Sequence, residues 1–188
     1  TAFSFVAFLF LNFIYIIFWN KKIKKTPIGA GIFLLIPFIF YCFNHQINFP
    51  ILIGLVCCSV IYYFDDLIEI NFKIRIGLQI LVSLIIFYLF REKLNINYII
   101  LIVFLFFVII NSLNFQDGQD LNIFVILFLI FLSFYFFSNQ KITKDTSILI
   151  LIYLISFGFF NRKPNKLFFG DSGCYVATII LFIFAIDE

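Results

Sequence analysis

The chain has 188 residues, is 64% hydrophobic and 12% charged, and has a mean hydropathy of +1.13, whereas about a quarter of the residues of soluble domains are charged. That composition excludes a soluble globular domain and marks an integral membrane protein. The formal charge of +3 sits in short lysine clusters between apolar runs, without a soluble face around them, which excludes nucleic acid as a partner.

Backbone groups in a bilayer core must pair internally, so only helices and closed barrels cross it. Continuous apolar runs rather than short alternating segments exclude the barrel. The expected fold class is all-α, a polytopic transmembrane helix bundle of about eight spans in a single domain covering residues 1–188. The runs are Ala2 to Trp19, Gly31 to Phe43, Phe49 to Phe64, Ile76 to Phe90, Ile96 to Ile110, Leu121 to Phe137, Ser147 to Phe160 and Cys174 to Ile186. Several fall short of the roughly 20 residues of a usual crossing, and the second is the weakest. No methionine occurs, not even an initiator, so the natural start is expected to be missing.

Within the first run Tyr15 and Trp19 read as aromatics of the membrane interface. The loop after it, Lys21-Lys22-Ile23-Lys24-Lys25-Thr26-Pro27-Ile28-Gly29-Ala30-Gly31, reads as a topology anchor, with a weak indication of phosphate contact at the glycines. Cys42, Cys57, Cys58 and Cys174 lie inside apolar runs without metal-ligand spacing and read as small buried hydrophobes. Alternating spans place nine basic residues on one face (Lys21, Lys22, Lys24, Lys25, Lys73, Arg75, Arg162, Lys163, Lys166) and four on the other (Arg91, Lys93, Lys141, Lys144). By the positive-inside rule the first face is cytoplasmic and the N-terminus lies outside. The sole histidine, His45, falls on the outer face.

The acidic landmarks all fall on the cytoplasmic loops, although the charge count made no use of them. Asp65-Asp66 closes the third run; adjacent carboxylates repel unless a cation neutralises them, and Lys73 and Arg75 follow. Asn111, Asn114 and Asp117 are spaced by three, as are Asp117 and Asp120, so they share a face if the fifth helix continues that far. Amide and carboxylate oxygens in one row are hard ligands suited to Mg2+. Gly170-Asp171-Ser172-Gly173 opens the last run, either as an N-cap or as a helix N-terminus that favours a metal-bound phosphate. On one face these groups describe the equipment of Mg2+-assisted phosphoryl transfer.

Taken in order, Lys25-Thr26-Pro27 with Gly29 and Gly31, Asp65-Asp66 with Lys73 and Gln79, Asn111-x-x-Asn114-Phe-x-Asp117-Gly118-x-Asp120, and Gly170-Asp171-Ser172-Gly173 resemble the polyprenyl-phosphate N-acetylhexosamine-1-phosphate transferases of glycosyltransferase family 4. The resemblance implies transfer of a sugar 1-phosphate from a UDP-N-acetylhexosamine to a membrane polyprenyl phosphate with release of UMP. That is the first membrane step of cell-envelope glycan synthesis, in the bacterial plasma membrane. On the matching motifs Asp171 and Asn114 would hold Mg2+, and Asp65 or Asp66 would assist the attacking lipid phosphate. Asp117 and Asp120 would complete the acidic site, with Asn111, Lys73 and Gly170 contributing to substrate binding. A homodimer is left open.

Two departures stand out. After Asp120 the family usually has Gly-Leu, where this chain has Leu121-Asn122. Family members also continue past this point to further spans and a histidine-rich loop, so the domain is expected to be incomplete at both ends. Two other classes compete. An intramembrane aspartyl protease would use Asp65 and Asp171, but position 168 is Phe where its motif needs Gly, and Asp117 and Asp120 stay unexplained. A non-catalytic membrane protein or transporter would place its ionisable groups along a pathway at mid-bilayer rather than at span ends.

Overall fold

The structure is a computed structural model that describes residues 2–22, 26–68, 70–119, 121–162 and 167–188. The described residues are helical and contain no strand. In chain order they form α1 (Ala2–Lys22), a 3-10 turn (Ala30–Leu34) leading into α2 (Leu35–Asn44), α3 (Phe49–Ile68), α4 (Phe72–Leu89), a second 3-10 turn (Ile96–Tyr98) leading into α5 (Ile99–Asp117), α6 (Asn122–Phe137), α7 (Lys141–Asn161) and α8 (Gly170–Asp187). Each of the eight apolar runs carries a helix, and six segments are long and apolar enough to cross a membrane. The other two, Ala30–Asn44 and Asn122–Phe137, are shorter.

Several helices overrun the apolar runs. α3 continues through Asp65-Asp66 to Ile68. α4 starts at Phe72 because the Asn71 side chain accepts the Lys73 amide at 3.0 Å, a conventional N-cap. α5 stays helical through Asp117, which puts Asn111, Asn114 and Asp117 on one face. α7 starts at Lys141, six residues ahead of its apolar run; a terminal turn tolerates charges that reach the head groups.

α8 is the axis of the bundle. Nearly every side chain from Gly170 to Phe184 is buried, against α3, α4, α5 and the first 3-10 turn. α7 forms a second spine, covered by α1, α2 and α6. Large apolar side chains such as Phe3, Ile100 and Phe137 are more than 80% exposed, as expected where lipid rather than water is the solvent. Tyr15 and Trp19 depart from their reading as interface aromatics, because both are buried. The Tyr15 hydroxyl donates to the Ile28 carbonyl, satisfying a backbone group that the irregular 27–31 segment leaves unpaired.

Polar groups gather at the two ends of α8. At its C-terminal end Asp187 accepts from the Tyr41 hydroxyl at 2.8 Å and pairs with His45 at 2.7 Å and Lys93 at 3.0 Å. The acidic landmarks lie at the other end, so even-numbered and odd-numbered connections separate as alternation requires.

Candidate active site

Two irregular segments make the floor of the site. Pro27 to Gly31 lies alongside Phe168 to Gly170: the Phe168 amide donates to the Pro27 carbonyl at 2.9 Å, Ala30 to Phe168 at 3.3 Å and Gly31 to Phe169 at 2.9 Å. Gly29 (φ +91) and Gly170 (φ +82) occupy left-handed backbone where they meet, a conformation that favours glycine. These bonds consume the amides of Ala30 and Gly31 in docking the two segments on each other.

The first turn of α8 is capped by carboxylates from two other helices. From α5, Asp117 accepts the Phe169 amide at 2.9 Å and the Gly170 amide at 2.8 Å. From α3, Asp66 accepts the Asp171 amide at 2.7 Å, the Ser172 amide at 3.2 Å and the Ser172 hydroxyl at 2.5 Å. Four amides that a helix normally leaves unpaired are thus taken by the chain's own acids, and the favourable charge at the helix start is already matched. An N-cap supplied by Asp171 or Ser172 does not form; Phe169 holds the cap position without a side-chain bond.

Asp65 and Asp66 avoid mutual repulsion by facing different partners. Asp65, 4% exposed, accepts the Ile70 amide at 2.5 Å and pairs with Arg75 Nε at 2.6 Å. Arg75 then reaches Asp171 Oδ2 with Nη1 at 3.2 Å. One guanidinium therefore joins the Asp65-Asp66 landmark to the Gly170-Asp171 landmark. The Asp171 carboxylate is 30% exposed, more open than the buried carboxylates of Asp65 and Asp117.

The other anticipated residues divide. Asn114 lies one turn before Asp117 on α5, and its buried Oδ1 has no hydrogen-bond partner, as a ligand oxygen awaiting a cation would. Asn111 is exposed and donates its amide to the Phe107 carbonyl of its own helix at 2.7 Å. Lys73 is exposed in the first turn of α4. Gly170 donates its amide to Asp117 at 2.8 Å. Asp120 lies outside the described residues, as do Lys25, Lys163 and Lys166.

Sequence reasoning undervalued Arg75, which entered as one of several basic face markers and as a potential partner of the acid pair. It missed Asn161, whose Oδ1 accepts the Leu121 amide at 2.8 Å while its Nδ2 donates to Leu167 at 2.7 Å, tying the α5–α6 connection to the approach to α8. Lone residues at helix ends carry no periodic signal. Among the described residues no three His, Cys, Asp or Glu side chains group as a metal cluster, so a cation here would rely on Asp171, the Asn114 oxygen and water, a mixture that Mg2+ accepts.

The model of Glycosyl transferase family 4 matches residues 48–188. The chain belongs to that family. The match spans α3 to α8 and hence Asp65, Asp66, Arg75, Asn114, Asp117 and Asp171. Comparison with curated proteins and with solved structures finds no match. Family membership supports an integral membrane transferase that moves a sugar phosphate from a nucleotide sugar to a polyprenyl phosphate.

Proposed function

We propose that this family 4 transferase moves the sugar 1-phosphate of a UDP-N-acetylhexosamine onto a polyprenyl phosphate through a new diphosphate linkage and releases UMP. The observation that carries this reading is the convergence of three separated acidic landmarks on the first turn of α8: Asp66 and Asp117 hold its backbone, and Asp171 emerges from it. The site end is read as cytoplasmic because nine of the 13 basic residues fall there, on the side where nucleotide sugars are made. The bacterial plasma membrane and cell-envelope glycan synthesis are part of this proposal.

Both substrates bring phosphates, so the site must place two anions side by side without mutual repulsion. Asp171 and Asn114 fit Mg2+ by donor chemistry, and the ion when bound would neutralise charge on the donor diphosphate. Asp66 and Asp117 fix the backbone that carries Asp171, so it does not need to be ordered when substrate arrives. Arg75 supplies a permanent positive charge between Asp65 and Asp171 and stands within the site to face an incoming phosphate. The lipid phosphate oxygen attacks the sugar-bearing phosphorus, and the bond to the UMP oxygen breaks. The attacking phosphate is already ionised near neutral pH, so positioning contributes more than proton removal.

The reading is tested by incubating the purified protein in phospholipid nanodiscs with radiolabelled UDP-N-acetylglucosamine or UDP-N-acetylgalactosamine, undecaprenyl phosphate and Mg2+. The expected result is label in the lipid fraction with stoichiometric UMP, lost on chelation and in Asp171→Asn. Absence of labelled lipid with every donor, from folded protein, would overturn it.

A further inference from the structure

We propose that Arg75 is a resident cation for Asp171: it occupies that carboxylate when no divalent ion is bound, yields it when one arrives, and stays anchored on Asp65. The inference rests on the transferase reading for its purpose, but not for its evidence.

The two pairs made by Arg75 are unequal. Nε meets Asp65 at 2.6 Å, where the carboxylate is 1% exposed, whereas Nη1 meets Asp171 at 3.2 Å, where it is 30% exposed. Breaking the first would strand a buried charge, which proteins resist strongly. Breaking the second returns an accessible carboxylate to water or to another cation, and such pairs hold weakly.

The backbone behind the side chain is fixed, and the head has its shorter contact at Asp65. The Tyr62 hydroxyl donates to the Arg75 carbonyl at 3.0 Å, and the Tyr62 ring stacks on Tyr175 of α8 with centroids 3.9 Å apart. The Arg75 side chain remains 35% exposed, leaving room for the guanidinium to pivot about its Asp65 contact. Asp65 and Asp171 are close enough to repel each other electrostatically. One guanidinium shared by two carboxylates leaves a net single negative charge where two would otherwise repel. Asp171 is thereby held in place by Arg75, and a divalent ion must displace a singly charged competitor to reach it.

Arg75 is accordingly a positioning residue, and its removal should make cation binding tighter, the opposite of what damage to a site produces. The test uses Mn2+ as the probe, its free concentration followed by electron paramagnetic resonance, on the full chain in nanodiscs. Arg75→Gln should bind Mn2+ about tenfold more tightly, the scale of one partly screened ion pair. Arg75→Lys keeps the charge but cannot fork between two carboxylates, so it should remain on Asp65 and tighten Mn2+ about threefold, guarding against misfolding of the first variant. In Arg75→Gln/Asp171→Asn the gain should vanish. Mn2+ affinity equal to or weaker than wild type in both single variants would overturn the proposal. Tighter Mn2+ binding together with no UMP release from wild type would leave it standing and sink the transferase reading instead.

Discussion

Gly29 and Gly170 meet backbone to backbone: a methyl group on Gly170 would lie 2.5 Å from the Gly29 amide nitrogen and 2.7 Å from an Asp66 carboxylate oxygen. Gly170→Ala therefore combines a clash with immovable backbone and an L-residue at φ +82. The expected loss is about 3 kcal/mol, read as a lowered unfolding temperature in detergent. Gly77→Ala is the control, since nothing lies within 4 Å of the added methyl; mid-helix alanine should hold or raise stability, by up to about 1 kcal/mol. Equal melting of the two variants would contradict the close approach.

Carboxylates of the site should separate by what their loss damages. Asp117→Asn replaces an acceptor of two backbone amides with a group that points an N–H at one of them, so stability should fall by about 2 to 3 kcal/mol and transfer should fall with it. Asp171→Asn leaves the backbone bonds intact. Its melting temperature should stay near wild type while transfer drops about a hundredfold or more. A stable, active Asp171→Asn would remove that residue from the chemistry.

Leu121 stands in left-handed backbone at φ +61, at the position where the family usually has glycine. Its amide is held by Asn161 at 2.8 Å, which fixes the conformation despite the side chain. Leu121→Gly should stabilise the protein by about 1 kcal/mol by removing the steric cost of that backbone. Thermal unfolding decides it, and a fall in stability would mean that the leucine side chain contributes more packing than its backbone costs.

Topology is open to labelling. In a background without native cysteines, single cysteines at Lys73 and Gln119 should be shielded from an impermeant thiol reagent in intact cells, and those at Glu92 and Asn139 should react. Labelling of either of the first pair from outside would reverse the orientation on which the cytoplasmic site depends.

Much of the fold is legible in the sequence. Eight runs became eight helices because long, predominantly apolar runs have few alternatives in lipid, and the three-residue spacing from Asn111 to Asp117 described a helix face because α5 does continue to Asp117. The roles of the acids were less legible. That Asp66 and Asp117 bond to the backbone of 169–172 depends on where three helices meet, and no local pattern encodes it. Arg75 sits two positions from Lys73 with the same charge; only its side of α4 distinguishes the residue that joins two landmarks from the one that is exposed. Tyr15 was misplaced because amphipathic aromatics suit both a head-group layer and a buried carbonyl without a partner.

α8 is fastened at both ends. Its N-terminal amides are bound by Asp66 and Asp117, and Asp187 at the far end is gripped by Tyr41, His45 and Lys93. A slide of one helical turn, about 5.4 Å, would tear both sets apart at once. The helix therefore behaves as a fixed post, and any motion of a working cycle must belong to what surrounds it.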